Sequence, residues 1–555
     1  MQRKHLLLVA LVMVLALLVF PLACAPSEVD EPEDPTEGPP DPEEPEVGVG
    51  GSVTMAIRNH DYDTLDPHIS RFTQSHIVFM NMFDPFIWLG PDGEYYPGLA
   101  REWEMEDEGR IWNLHLREDV VFHDGTPFNA EAAKISFDRI VDPATGSVGA
   151  VDRMGSYRES EVVDDYTIRV YFDEPTPNWM YDLTGHWITA VSPTALEEYG
   201  SDEFENHLVG TGPFKLKEEV FQTQVTLERN PDYNWGPDFM ENQGSPHLDE
   251  LIFRFIHEDE TRFSALETGE VQIIDEVSPA QVQTLQDSAD FDVEIIPRLG
   301  IARGYHIDTT MEPMDDIRVR KAFIKAIDVD LICETVLEGV YPPAHSVLVE
   351  GTLFYDPDTE IYDFNPEKAR EHLDDAGWVE GDDGYRYKDG ERLEIRMGTF
   401  PGFVSEAPAE FVDSMLRDVG MAFSIEVLDG GPFMSTFSDP EANPWHVGHI
   451  GTYDVDPIIP LYRFYHSEQI GGSNYSRLQS DEVDDLLNRA MATTDLNEKE
   501  ELIKEIQMIV MEQALVRPVY GNVSMFGYST VDFEGLNYDL RGFGLFNSVK
   551  DLRNQ

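Results

Sequence analysis

The stretch H-I-G-T-Y-D-V-D-P-I-I-P, residues 449–460, sets two carboxylates, Asp454 and Asp456, beside an aromatic, Tyr453, and two prolines. Paired acids of this kind suit general acid/base catalysis, metal ligation, a clasp for a cationic ligand, or nothing more than a solvated turn. All four readings stay open on these residues alone. Three other constellations invite a catalytic or metal reading. H-D-Y-D-T-L-D-P-H, residues 60–68, carries two His and three Asp in nine residues, but its acids lack the glycine-centred spacing of a calcium loop. F-H-D-G-T-P, residues 122–127, reads better as an Asp-Gly turn at a strand end than as a His/Asp pair. H-E-D-E-T, residues 257–261, lacks the second His of a zinc protease, and no G-x-S-x-G or phosphate-loop pattern occurs. No metal and no cofactor is assigned. Trp445, Tyr453, Tyr305 and Phe72 are candidates for lining a cleft, although core packing is the commoner fate of any single aromatic.

A large scaffold must position these residues. At 555 residues the chain exceeds one ordinary core, so two or three domains or lobes are expected. The second half alternates strands and helices. In D-D-I-R-V-R-K-A-F-I-K-A-I-D, Val319, Ala322, Phe323, Ala326 and Ile327 share one helical face. Asn365 reads as an N-cap with Pro366 at the first helical position and Gly377 as the stop. The strand L-E-I-R-M, the helix A-E-F-V-D-S-M-L-R-D-V-G and the strand F-S-I-E-V-L make a βαβ unit. Asp495 and Glu498 form a capping-box pattern ahead of the stripe Leu502, Ile503, Ile506, Ile509 and Val510. The first half is richer in strands, such as W-N-L-H-L and Y-T-I-R-V-Y-F. Two α/β lobes with a cleft between them follow, and such clefts bind small molecules.

Charge narrows the partners. There are 107 Asp and Glu against 39 Lys and Arg, a formal net charge of −68. That surface repels nucleic acid and anionic membrane, and suits a saline habitat. Of two cysteines, Cys333 sits among apolar helical positions and is expected to pack as a small hydrophobe. The other, Cys24, ends an N-terminal segment with Arg3, Lys4, a 15-residue apolar run and P-L-A-C. This has the form of a secretory signal, residues 1–23, and resembles a bacterial lipobox that would make Cys24 the lipidated mature N-terminus, although Pro21 stands where that pattern prefers Leu. Residues 24–49 follow as an acidic, Pro-rich tether; within 27–47 are ten acids, six prolines and no basic residue. Such a segment buries no core and stays extended.

An ordered series of segments then carries a resemblance. G-G-S-V-T-M-A-I…D-T-L-D-P-H (51–68), P-G-L-A-R-E-W-E (97–104), H-L-R-E-D-V-V-F-H-D-G-T-P-F-N-A-E (115–131) and V-G-T-G-P-F-K-L (209–216) come in sequence. They are followed by L-E-R-N-P-D-Y (227–233), S-A-L-E-T-G-E-V (264–271), D-D-I-R-V-R-K-A-F (315–323), N-P-E-K-A…A-G-W (365–378) and N-Y-S-R-L-Q-S-D-E-V-D-D-L-L (474–487). From residue 50 to about 525 the chain resembles the extracellular solute-binding proteins of family 5, which serve ABC importers for oligopeptides, dipeptides and nickel complexes.

The resemblance implies an α/β, two-lobed periplasmic-binding-protein-like fold of the cluster C type. One lobe would be discontinuous, 50–90, 209–280 and 517–555, with an inserted subdomain at 91–208, and the other would span 281–516. It implies a monomeric, non-catalytic receptor, lipid-anchored at the extracytoplasmic face of the membrane. The lobes would close on a small solute, expected to be a peptide, for delivery to an ABC permease. It carries the ammonium-binding acid over to Asp454. The usual Trp of that loop is absent and the loop is one residue short, so the assignment can slip to Asp456. Phe72–Gln74 falls where family members contact the ligand backbone, and Tyr305 opens a strand near the lobe crossing. The competing readings are a receptor for a metal chelate or other cationic metabolite, a secreted carboxylate-dependent hydrolase, and a surface adhesin.

Overall fold

The computed structural model describes residues 50–534 and 553–554, apart from 59–61, 71, 91–92, 148, 202, 401–402, 455 and 494. The expected signal peptide, the lipidation site Cys24 and the tether lie outside the described residues, as do His60, Asp61 and most of the chain after 534.

Three larger sheets organise the fold. The first has seven strands, ordered Phe291–Pro297, Val523–Ser529, Ile273–Asp275, Ser52–Ile57, Glu250–Phe255, Gln224–Arg229 and Phe214–Val220. Its central strand Ser52–Ile57 is parallel to both neighbours, and its last three residues, Met-Ala-Ile, are buried, as a strand covered on both faces requires. The second sheet has five strands, ordered Ala422–Val427, Glu394–Thr399, Val447–Tyr453, Gly300–Ile307 and Val516–Tyr520. The expected βαβ unit is present: Glu394–Thr399 and Ala422–Val427 pair in parallel, with the helix Phe403–Asp418 between them in sequence. An antiparallel four-stranded sheet, Ala100–Glu106, Ile111–Leu116, Thr167–Phe172 and Tyr157–Asp164, forms the third.

The chain passes between the seven- and five-stranded sheets twice. Arg298 and Leu299 link Phe291–Pro297 to Gly300–Ile307, and Gly521 and Asn522 link Val516–Tyr520 back to Val523–Ser529. The two crossings lie side by side, because Arg298 N donates to Asn522 O at 2.8 Å. Two large apolar clusters result. One surrounds the five-stranded sheet and its helices, and the other joins the four-stranded sheet to the seven-stranded one.

Local signals set the helix ends. Asn365 accepts from Lys368 N at 2.9 Å, with Pro366 opening the helix Pro366–Asp375. Asp495 caps Leu496–Glu512 by accepting from Asn497 N at 2.9 Å and Glu498 N at 3.4 Å. Glu498 does not complete a box; its carboxylate accepts from Thr493 Oγ1 at 2.8 Å and from Arg489 at 3.5 Å. Val319, Ala322 and Phe323 are buried on the helix Ile317–Lys325. Cys333 is buried, and burial pushes its thiol up to about 12. Among the described residues no helix is long and apolar enough to cross a membrane.

Candidate functional site

The strand Val447–Tyr453 runs out of the five-stranded sheet toward the crossings, buried at Val447–Ile450 and half-buried from Gly451 onward. Its end is pinned there. Tyr453 pairs with Gly300, and Asp454 N donates to Leu299 O at 2.9 Å. Gly300 permits this approach: its φ is +125°, and a Cβ would lie 2.6 Å from Asp454 N and 2.8 Å from Tyr453 Cα. The Arg298 guanidinium lies 4.5 Å from the Tyr453 ring centre and donates to Ser524 Oγ at 2.6 Å. The acidic loop is therefore attached to the segment that joins the lobes.

Residues two apart on a strand share a face, but the chain leaves the strand here and the two acids take different partners. Asp456 Oδ1 accepts from Ile458 N at 3.1 Å, at the start of the helix Ile458–Tyr465, and its other oxygen lies 3.9 Å from Lys499 Nζ. Lys499 in turn donates to Asn178 Oδ1 at 2.8 Å, reaching across to the subdomain that holds the four-stranded sheet. Asp456 is thus held by the first N–H of that helix and by an ion pair, its carboxyl raised by burial against the opposing pull of Lys499. Asp454 instead lines a cavity of about 610 Å³. Its Oδ1 is buried and meets no hydrogen-bond donor among the described residues. Burial pushes its carboxyl up to about 6, opposed by a hydrogen bond from Tyr181 and reinforced by Asp456.

The cavity lies between the two sides. From the five-stranded-sheet lobe come Tyr453, Asp454, Tyr462 and Arg463; facing them are Arg153, Asn178, Tyr181, Asp182 and Trp187. Asp182 ends the short helix Trp179–Asp182; its backbone carbonyl accepts from Gly185 N at 3.1 Å, and its half-buried carboxylate takes no hydrogen bond or ion pair among the described residues. Burial raises it to about 7, opposed first by Arg153 and reinforced by Asp454. Arg153 donates to Gly149 O at 2.6 Å and sits 4.1 Å from the Trp187 ring centre, a cation–π arrangement. Trp187 is backed by His76 at 4.0 Å between ring centres. Neither Arg153 nor Arg463 is in a salt bridge among the described residues. The cavity therefore offers aromatic walls, the carboxylates of Asp454 and Asp182 with exposed Asp152 and Glu174 also in its lining, and two guanidinium groups without a salt bridge among the described residues, a surface able to take a small zwitterion.

Of the residues singled out from the sequence, Tyr453 and Asp454 line this cavity and Asp456 stands behind it. The other candidates lie away from this cavity. Tyr305 is fully buried in the lobe core, 5.0 Å from the His449 ring and 6.1 Å from Phe323. Trp445 is likewise core: it covers Gly398, where a Cβ would lie 2.5 Å from its ring, and its Nε1 donates to Glu426 at 2.9 Å. Phe72 precedes the helix Thr73–Phe79 and Gln74 is buried on it; neither lines the cavity. Arg153, Tyr181, Asp182, Trp187 and Arg463 were not foreseen. The only local trace was W-M-Y-D, residues 179–182, an acid beside two aromatics after a Pro-rich turn.

The metal-like motif is occupied structurally. Asp66 receives Arg139 through both oxygens at 3.0 and 2.5 Å, and His68 Nε2 meets Thr189 O at 3.0 Å. Burial holds His68 down at about 4. Asp63 accepts from Ser70 Oγ at 2.6 Å and Ser75 Oγ at 2.8 Å. In F-H-D-G-T-P, Asp124 accepts from Thr126 N at 2.9 Å and Phe122 N donates to Thr126 O at 2.8 Å, as a turn requires.

Residues 94–472 match the family described as bacterial extracellular solute-binding proteins, family 5 Middle. The chain is 26% identical over 479 residues to the dipeptide-binding protein of Escherichia coli K12, covering 81% of this chain and 84% of that one. It is 27% identical over 475 residues to the glutathione-binding protein GsiB of Shigella flexneri, covering 83% and 87%. Among solved structures, the periplasmic binding protein DppA of Helicobacter pylori in complex with the peptide STSA superposes with a TM-score of 0.74 at 24% identity, covering 91% of this chain and 98% of that one. NikA of Brucella suis in complex with Fe(III)-EDTA gives 0.78 at 22%, covering 91% and 100%. These likenesses establish the two-lobed α/β fold.

Proposed function

The chain belongs to family 5 of the bacterial extracellular solute-binding proteins, and from that premise we propose that it is a membrane-tethered receptor capturing a small peptide between closing lobes for delivery to an ABC permease. It binds and does not turn over its ligand. The observation that carries this reading is Asp454: a carboxylate with one buried oxygen that meets no donor among the described residues, lining a cavity of about 610 Å³ between the lobes. A ligand ammonium supplies the missing N–H donors and the countercharge together. Tyr453 and Tyr181 flank it, and closure about the two crossings expels water and strengthens these contacts. Dipeptides and glutathione, the ligands in the names of the two relatives, both carry a free ammonium and carboxylates.

The rival readings fit less well. An anionic metal chelate would set negative charge against Asp182 and Asp454. A hydrolase using paired carboxylates would need Asp456, which is engaged by Ile458 N and Lys499. Mass spectrometry of material released from the denatured purified protein, followed by calorimetry with peptides, tests the proposal. A released peptide that rebinds supports it. Co-purification of a different solute, with no peptide bound at low or high salt, refutes it.

A further inference from the structure

Asp454 has a counterpart across the cavity. We infer that Asp182 is the second half of an ammonium clamp, one carboxylate from each side of the cleft, and that it makes the receptor selective for zwitterions with an unblocked amine. This rests on the reading of the cavity as the ligand site and deepens it.

The argument is one of charge and donor supply. Around the two acids stand several other charged and titratable groups. Asp456 and Lys499 offset one another as a pair. Arg153 donates one N–H to Gly149 O and lies over the Trp187 face with its remaining N–H groups available, and Arg463 extends from the last turn of Ile458–Tyr465. Tyr181 gives its hydrogen bond to Asp454, and Tyr95, raised by burial and by Asp456, Asp182 and Asp454 in that order, stays protonated. Between these stand Asp182 and Asp454 with Arg153 and Arg463, and no salt bridge joins the two pairs among the described residues; Asp152 and Glu174, both exposed and the latter 3.7 Å from Arg110, add two further acids to the lining. The lining is acidic as a whole; one buried oxygen of Asp454 meets no donor among the described residues, and the half-buried Asp182 carboxylate takes no side-chain partner there. An ammonium carries three N–H donors and serves both acids at once. The ligand's carboxylate then falls to Arg463 and Arg153. Because the acids come from opposite sides, the ammonium also replaces a repulsion across the cleft with an attraction, which favours closure. An N-acylated ligand keeps its carboxylate but brings neither a positive charge nor an ammonium's three donors, and leaves both acids unpaired.

Occupation by an ammonium requires both acids to be ionised, so binding expels protons in slightly acid solution. With Asp182 at about 7 and Asp454 at about 6, dialanine binding at pH 6 should release about 0.9 and about 0.5 proton from the two groups. Its affinity should rise about fivefold from Asp182 and about twofold from Asp454 between pH 6 and pH 7, below the titration of the peptide amine.

Calorimetry of the full chain with dialanine and N-acetyl-dialanine, in two buffers of different ionisation heat, tests this. Asp182→Asn should weaken dialanine about tenfold at pH 7, reduce proton release at pH 6 to about 0.5, and flatten the affinity gain between pH 6 and 7 to about twofold. Asp182→Glu should retain the proton release. Asp182→Asn with unchanged affinity and proton release overturns the clamp while leaving the peptide receptor intact. Failure of dialanine to bind the wild-type chain overturns both.

Discussion

The same two acids predict how the ligand-free protein responds to pH. Asp182 has an ordinary carboxylate value in the unfolded chain and about 7 when folded, raised mainly by burial. A raised carboxyl favours folding while protonated, so its contribution is fully present below the unfolded value and is lost as pH rises through about 7. A shift of about three units corresponds to about 4 kcal/mol; water reaching the half-exposed Asp182 side chain screens this to about 2 kcal/mol at pH 8. Asparagine keeps the shape and removes the charge. Over roughly 500 residues the entropy of unfolding is about 1 kcal/mol/K, so Asp182→Asn should melt about 2 °C above wild type at pH 8. The gap should shrink toward zero at pH 4. Differential scanning calorimetry of both proteins from pH 4 to pH 8 measures it, and the comparison cancels the common effect of the −68 net charge. A gap independent of pH, or a variant less stable than wild type at pH 8, would refute the electrostatic reasoning.

Other perturbations separate the scaffold from the site. Gly300→Ala puts a Cβ 2.6 Å from Asp454 N at φ +125°, and should cost about 2 kcal/mol in denaturant titration while weakening dialanine binding, because the acidic loop must move. Asp66→Asn breaks a buried pair with Arg139; thermal melts should report a loss of about 3–5 kcal/mol, with calorimetric affinity unchanged. Lys499→Met leaves Asp456 without its ion-pair partner and Asn178 without its cross-cleft donor. It should destabilise by about 3 kcal/mol, and adding Asp456→Asn should recover most of that in a double-mutant cycle.

The scaffold was largely legible in the sequence, because its signals are local. The caps at Asn365 and Asp495, the buried stripe through Val319 and Phe323, and the βαβ unit from Glu394 to Val427 each span a few turns of chain. The cleft was only partly legible. Aromatic character does not say whether a side chain meets solvent or core, so Tyr305 and Trp445 were placed in the cleft, although one sits inside the central strands and the other covers Gly398. The Asp454/Asp456 spacing could not choose between the acids either. The choice is made by Ile458 N and Lys499, partners that appear only once the loop turns out of the strand. Asp182 escaped notice because it ends a four-residue helix with no periodicity, and its significance comes from an acid far away in the sequence.

The central claim is that Asp454 receives a ligand ammonium. The most direct measurement is the calorimetric affinity of wild type and Asp454→Asn for dialanine at pH 7. The account predicts a loss of about 10- to 100-fold in the variant, with N-acetyl-dialanine binding neither protein. Equal affinity of the two proteins for dialanine would contradict it.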